Sequence, residues 1–170
     1  SELLDELALR ARDLVMLGLT GHRWGLGLPS REEHARVEAA LAAVDALAFA
    51  DLPVGWLSGG QQKRLLIAQG LVHEAALLLL DEPFANLDLK GERELVALLT
   101  RLNRERGVTV LVVTHDLNPL LPVVTHVVCL LDGRPRLVPL EEVLTSALLT
   151  RLYGTPVEAL RVTDGSLVIR

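Results

Sequence analysis

Leu57-Ser58-Gly59-Gly60-Gln61-Gln62-Lys63-Arg64, then a helical run, then the apolar stretch Ala75–Leu80 closed by Asp81-Glu82-Pro83-Phe84-Ala85-Asn86-Leu87-Asp88: these residues decide the fold. Ser58 is a natural N-cap for the helix that follows. Gly59 and Gly60 would leave backbone N–H groups open at the positive end of that helix, a place suited to an anion such as phosphate. From Ser-Gly-Gly alone, an ordinary capped helix with a tight turn is the simpler reading. Ala75–Leu80 is too short for a typical helix and suits a parallel strand buried on both faces. Asp81 and Glu82 then fall at the carboxyl end of a buried strand, where open α/β sheets bind ligands. The dipeptide alone would read as a chain leaving the core for solvent.

Downstream, Glu92 to Arg106 reads as a helix with Leu95, Leu98, Leu99 and Leu102 on one face, and Gly107 stops it. Val108–Val113 reads as a second buried strand, rich in β-branched residues. Thr114-His115-Asp116 ends it, which sets His115 at the same kind of strand end as Asp81 and Glu82. Val127–Leu131 is a third strand, Asp132-Gly133 a turn, and Leu137-Val138 can pair back. Glu141 to Tyr153 reads as a helix, and the tail around Val157–Val162 and Leu167–Ile169 as a small hairpin.

Upstream, Arg10 to Leu19 reads as a helix, broken by Gly18, Gly21, Gly25 and Gly27 into a loop that carries His22, Arg23 and Trp24. Ser30 and Glu33 are spaced as a capping box. Val37, Leu41, Val44 and Leu47 recur at helical spacing, and that helix is expected to end between Ala48 and Pro53.

The bulk numbers narrow the function classes. A chain of 170 residues can bury a real core. Half of it is hydrophobic, with a mean hydropathy of +0.36. The apolar runs are still far below the roughly 20 residues of a spanning helix. A net charge of −5 argues against a broad nucleic-acid surface. The single cysteine, Cys129, has no internal partner, fits a reducing compartment and reads as a small buried hydrophobe. The opening Ser1-Glu2-Leu3-Leu4-Asp5 is acidic, unlike a signal peptide. No Cys/His spacing suggests a metal site, and no internal repeat is seen.

Taken together, the order and spacing of these blocks resemble the nucleotide-binding domains of ABC-type ATPases, over nearly the whole chain. Residues 57 to 61 look like the signature motif, Leu77 to Asp81 like Walker B, and Asn86-Leu87-Asp88 like the D-loop, although the family more often has Ser-Ala before its Leu-Asp. Phe84 stands where many members have Thr. The resemblance implies an α/β fold, with a P-loop NTPase-type parallel sheet core, here partial, and a helical subdomain. It implies a helical subdomain with the signature motif over 1–72, the carboxyl-terminal part of the ATPase core over 73–154, and a tail, 155–170.

It implies roles as well. Asp81 would hold Mg²⁺ through water, and Glu82 would polarise the attacking water. His115 would contact the γ-phosphate of ATP. Ser58, Gly59, Gly60 and Gln61, with Asp88 of the D-loop, would bind a nucleotide held by a second ABC ATPase domain in a head-to-tail dimer. The other partners would be a transmembrane permease subunit and, indirectly, a periplasmic or lipoprotein solute-binding protein. No nucleic acid is implied, and the location would be peripheral, on the cytoplasmic face of the membrane.

One departure stands out. No G-x-x-x-x-G-K-[S/T] phosphate loop occurs. In the family it lies upstream, with the adenine-stacking aromatic, and the Q-loop glutamine would fall just before Ser1. Thr114-His115-Asp116-Leu117-Asn118-Pro119-Leu120, together with Leu152-Tyr153-Gly154-Thr155-Pro156-Val157, looks like zinc or manganese importer ATPases, with iron-siderophore and vitamin importers close behind. Trp24 is a candidate contact for a membrane subunit. A non-hydrolysing, partner-binding fragment is the alternative from another class. DNA-repair ABC ATPases usually add coiled-coil or zinc modules, and neither heptads nor cysteine pairs occur here.

Overall fold

A computed structural model describes residues 9–21, 28–131, 133–145, 149–151, 159–161 and 167–169. The loop with His22, Arg23 and Trp24, and Tyr153 with most of the tail, lie outside the described residues. The chain divides into two compact units, Ser1–Thr114 and His115–Arg170.

The first unit begins with three helices: α1 (Ala11–Thr20), α2 (Arg31–Ala43) and α3 (Gly59–Leu71). They meet through Val15, Leu19, Val37, Leu41, Leu65 and Ala68, all buried. Helix α2 starts with the expected capping box. Glu33 N–H donates to Ser30 Oγ at 3.2 Å, and Ser30 N–H donates to Glu33 Oε2 at 2.7 Å. Its end was expected between Ala48 and Pro53 but comes at Ala43, because Asp45 adopts a left-handed backbone with φ of 57°. Leu47–Phe49 and Val54–Trp56 then form 3-10 turns that lead to Ser58.

Strand β1 (Leu77–Asp81) runs parallel to β2 (Thr109–Val113), joined by the crossover helix α4 (Leu89–Arg106). This helix begins three residues earlier than its periodicity suggests, because Asp88 Oδ1 accepts from Gly91 N–H at 2.7 Å and caps it. It ends at Gly107, whose φ of +66° is the left-handed cap that glycine adopts at little cost. The inner side of the sheet lies close to α3: a Cβ on Gly70 would come within 2.8 Å of Leu78 Cδ1.

The expectation that both strands are buried on both faces is overturned. Leu78 is buried, while Leu77, Leu79, Leu111 and Val113 are exposed. Among the described residues of this unit, helices cover one side of the two-stranded sheet only.

In the second unit, β3 (His126–Leu131) pairs antiparallel with β4 (Arg134–Pro139), so the expected return of Leu137 and Val138 is present. Gly133, with φ of +74°, makes the turn. Cys129 is buried, and that burial raises its thiol above the ordinary range. The helix expected over Glu141–Tyr153 is only one turn where it is first seen, α5 (Leu140–Val143), followed by a helical segment at 149–151. Strands β5 (Ala159–Arg161) and β6 (Leu167–Ile169) form the terminal hairpin.

Candidate functional site

The amino end of α3 is built from its own first turn. Ser58 Oγ accepts from Gln61 N–H at 3.3 Å, and Gln61 Oε1 accepts from Ser58 N–H at 2.8 Å. This reciprocal box uses Ser58 as an acceptor and leaves its hydroxyl proton to donate elsewhere. It also uses the side-chain oxygen of Gln61, which leaves the Gln61 amide NH₂ as its outward donor.

Neither Gly59 nor Gly60 has a positive φ, and a Cβ on either would meet nothing within 4 Å. The fold of this unit therefore does not demand glycine at either position. Their small size keeps open space in front of the first helical N–H groups, as an approaching anion requires.

The approach to this helix is braced. Gln62 Nε2 donates to Val54 O and Leu57 O, both at 3.2 Å, which fixes the preceding turn. That brace leaves Trp56 79% exposed beside the helix end. Arg64 Nη1 donates to Val44 O at 3.0 Å and pairs with Asp45 at 3.1 Å, while its Nη2 reaches Glu94 on α4 at 3.3 Å. Arg101, also on α4, donates to Ala43 O at 3.0 Å and to Asp45. Hydrogen bonding from Arg101 is the chief reason the Asp45 carboxyl is held below its ordinary range. One carboxylate thus joins α2, α3 and α4.

The end of β1 carries the acidic pair. Asp81 is exposed at the last rung of the strand, opposite Val113. Glu82 N–H donates to Val113 O at 2.9 Å, which prolongs the ladder by one residue. Glu82 sits at φ of 43° and Asn86 at φ of 64°, both in the left-handed region. Such a conformation costs a non-glycine residue about 1–3 kcal/mol and is a mark of functional turns. From α3, Lys63 Nζ reaches Glu82 O at 3.5 Å, the long end of the hydrogen-bond range.

The structure thus brings Ser58, Gly59, Gly60 and Gln61 together at one helix end, and Asp81 with Glu82 at one strand end, within the first unit. Asp88 is placed at the start of α4 with one carboxylate oxygen committed to its cap. His115 is exposed at the start of the second unit. Lys63, Arg64 and Asp45 were given no role from the sequence. The Lys63-Arg64 pair is visible there, but its contacts are with residues 19 to 30 positions away.

Among the described residues, no group of three or more His, Cys, Asp or Glu side chains could hold a metal ion. The exposed Asp81 carboxylate still fits Mg²⁺ of the kind shared with nucleotide phosphates and water, which asks for only one or two protein carboxylates. No described helix is long and apolar enough to cross a membrane.

A family model described as ABC transporter matches residues 2–85. The hemin import ATP-binding protein HmuV of Rhodococcus jostii is 38% identical over 162 residues, 94% of this chain and 54% of the relative. The manganese transport system ATP-binding protein MntA of Synechocystis is 38% identical over 118 residues, 69% and 45% of the two chains. A solved chain of an ABC transporter in an inward-facing conformation superposes with a TM-score of 0.85 at 26% identity, covering 97% of this chain and 66% of its own. The dimeric bacterial ABC transporter cassette MJ0796 gives 0.60 at 32% identity, covering 82% and 61%. The chain spans about half the length of the curated relatives it matches. The expected P-loop NTPase-type architecture agrees with these cassettes.

Proposed function

Because the chain belongs to the family of ABC transporter ATP-binding proteins, we propose that it supplies the signature and Walker B parts of the ATP-hydrolysing subunit of an importer. One observation carries this reading: the amino end of α3 combines a capped serine that still holds a donatable proton with two glycines that packing does not require. That combination suits a γ-phosphate approaching from outside the chain.

In this reading Ser58, the Gly60 N–H and the Gln61 amide donate to a nucleotide held by a second ABC ATPase domain paired head to tail. Asp81 holds Mg²⁺ through water and thereby offsets phosphate charge. Glu82 orients and polarises the attacking water, and His115 contacts the γ-phosphate. Asp88 adds a further contact to that shared nucleotide. The P-loop lysine and its backbone cradle must come from outside these 170 residues. A permease subunit anchors the assembly at the cytoplasmic side of a membrane, and a solute-binding protein delivers the cargo.

The test is nucleotide-dependent pairing. The chain is mixed with a P-loop-bearing cassette blocked in hydrolysis, and mass is read by light scattering. A heterodimer with ATP but not ADP, abolished by Ser58→Arg, is the expected result. Pairing that ignores nucleotide or survives Ser58→Arg overturns the reading and leaves the non-hydrolysing partner module in its place.

For the cargo we propose a metal ion, zinc or manganese, on the strength of the Thr114–Leu120 and Leu152–Val157 stretches and the manganese-system relative. The hemin-import relative favours an iron chelate as the second reading. Uptake of labelled Zn²⁺, Mn²⁺, hemin and ferric siderophore after gene deletion separates them. Unchanged uptake of both divalent ions overturns the first.

A further inference from the structure

Aromatic side chains are scarce in this chain: two Trp, two Phe and one Tyr in 170 residues. Phe49 and Phe84 are buried, and Trp56 is the one exposed aromatic among the described residues. Tryptophan is large and well buried on average, because its ring gains much by leaving water. An indole kept in solvent two residues before Ser58 calls for a ligand or a partner.

The backbone under that ring is fixed. Trp56 N–H donates to Pro53 O at 3.0 Å and Leu57 N–H donates to Val54 O at 3.2 Å, which closes the 3-10 turn. Val54 and Leu57 are buried on either side, and the Gln62 amide ties both of their carbonyls to α3. Packing therefore anchors the neighbours of Trp56 and leaves its ring outside. At most about 7 Å of chain separates its Cα from that of Ser58.

We propose that Trp56 recognises the base: its indole stacks on the adenine of the nucleotide whose γ-phosphate is received at Ser58. This deepens the ATPase reading and rests on it for the place of that phosphate.

Three observations select a base as the occupant. The exposed groups of the first turn of α3 are hydroxyl, amide and backbone N–H, which serve phosphate and offer a base no apolar platform. Trp56 is the exposed apolar side chain between Pro53 and Gln62, and a planar uncharged ring is such a platform. The braced turn also holds the ring's backbone in place before any ligand arrives, so stacking on it costs little ordering.

The test is the nucleotide dependence of pairing between the complete chain and the hydrolysis-blocked cassette, with no membrane subunit present. Trp56→Ala should raise the ATP concentration for half-maximal pairing by roughly tenfold, within the range that loss of one stacked base gives. Trp56→Phe keeps a stacking face and should stay within about threefold of the parent. UTP carries a smaller ring, so Trp56→Ala should harm UTP-driven pairing less and narrow the preference for ATP. The position is exposed, so both variants should keep the parent's melting midpoint.

A second readout comes from the indole itself. With Trp24→Phe in the chain and a partner cassette free of tryptophan, pairing should quench Trp56 emission more with ATP than with UTP. Pairing by Trp56→Ala at the parent's ATP concentration overturns the proposal. An equal loss with ATP and UTP, with emission indifferent to the base, also overturns it and places the ring against the partner protein. Ser58→Arg separates the two levels. If pairing needs ATP and Ser58 but ignores Trp56, the base contact alone fails; if Ser58→Arg pairs normally, the ATPase reading and the base contact fall together.

Discussion

The Asp45 carboxylate accepts from the Arg101 guanidinium at 2.7 Å, tying the end of α2 to the middle of α4. The same oxygen pairs with Arg64 on α3. The Asp45 carboxyl is held below its ordinary range, first by the Arg101 hydrogen bond. A depressed carboxyl contributes stability that is present above the unfolded value of about 3.9 and lost as pH falls through the folded one. We expect Asp45→Asn to lower stability at pH 7 by no more than about 1 kcal/mol, because the Asp45 side chain is 56% exposed and the pair is screened by solvent. The difference from the parent should shrink in urea titrations as pH falls below the unfolded value of about 3.9. A difference that instead grows on acidification would show that the carboxylate is not the stabilising form.

The cap on α3 separates structure from function at one atom. Ser58→Ala removes the acceptor for Gln61 N–H and should cost about 1 kcal/mol. Ser58→Asp keeps an acceptor and should restore most of that stability. It should still fail in ATP-driven pairing, because a carboxylate would face the phosphate. Thermal melts and light scattering on the same samples distinguish the two effects. Normal pairing by Ser58→Asp would remove the hydroxyl from the proposed site.

Gly107 ends α4 with φ of +66°. Gly107→Ala should destabilise the first unit by about 1–2 kcal/mol, the cost of a left-handed alanine. Space is not the issue, since a Cβ there would meet nothing within 4 Å. Gly107→Asn should recover part of the loss because asparagine tolerates this conformation. Equal melts for the alanine and asparagine variants would contradict a backbone origin.

Turnover should need more than this chain. With no phosphate loop in its 170 residues, the purified protein should show negligible ATP hydrolysis. In a complete cassette carrying these residues, Glu82→Gln should lower turnover by roughly 10² to 10⁴, about 3 to 6 kcal/mol of barrier. Steady turnover by the isolated chain, lost on Glu82→Gln, would defeat this expectation.

The capping box at Ser30, the N-cap at Ser58 and the carboxyl ends of β1 and β2 are legible in the sequence because they depend on neighbours three or four residues away. The early end of α2 was not. Val44-Asp45-Ala46 carries no glycine, and Asp45 turns left-handed while bound to arginines far along the chain. Helix α4 was misjudged at its start because Asp88 was read only as a D-loop residue and not also as a cap. The outer sheet face was misjudged for a different reason. An apolar strand such as Leu77–Leu80 records what its partners require, and the described residues of the first unit supply a partner on one side alone.

Lys63 spans from α3 to the carbonyl of Glu82. If Ser58 serves one nucleotide and Glu82 another, this single side chain joins two occupancies that diffusion would otherwise keep independent. Their binding free energies would then be linked, and linkage is reciprocal. The macroscopic sign of that link is the steepness of the ATP saturation curve. Lys63→Ala in an assembled pair of cassettes should flatten the curve toward a Hill coefficient of one, with the affinity of each separate site little changed.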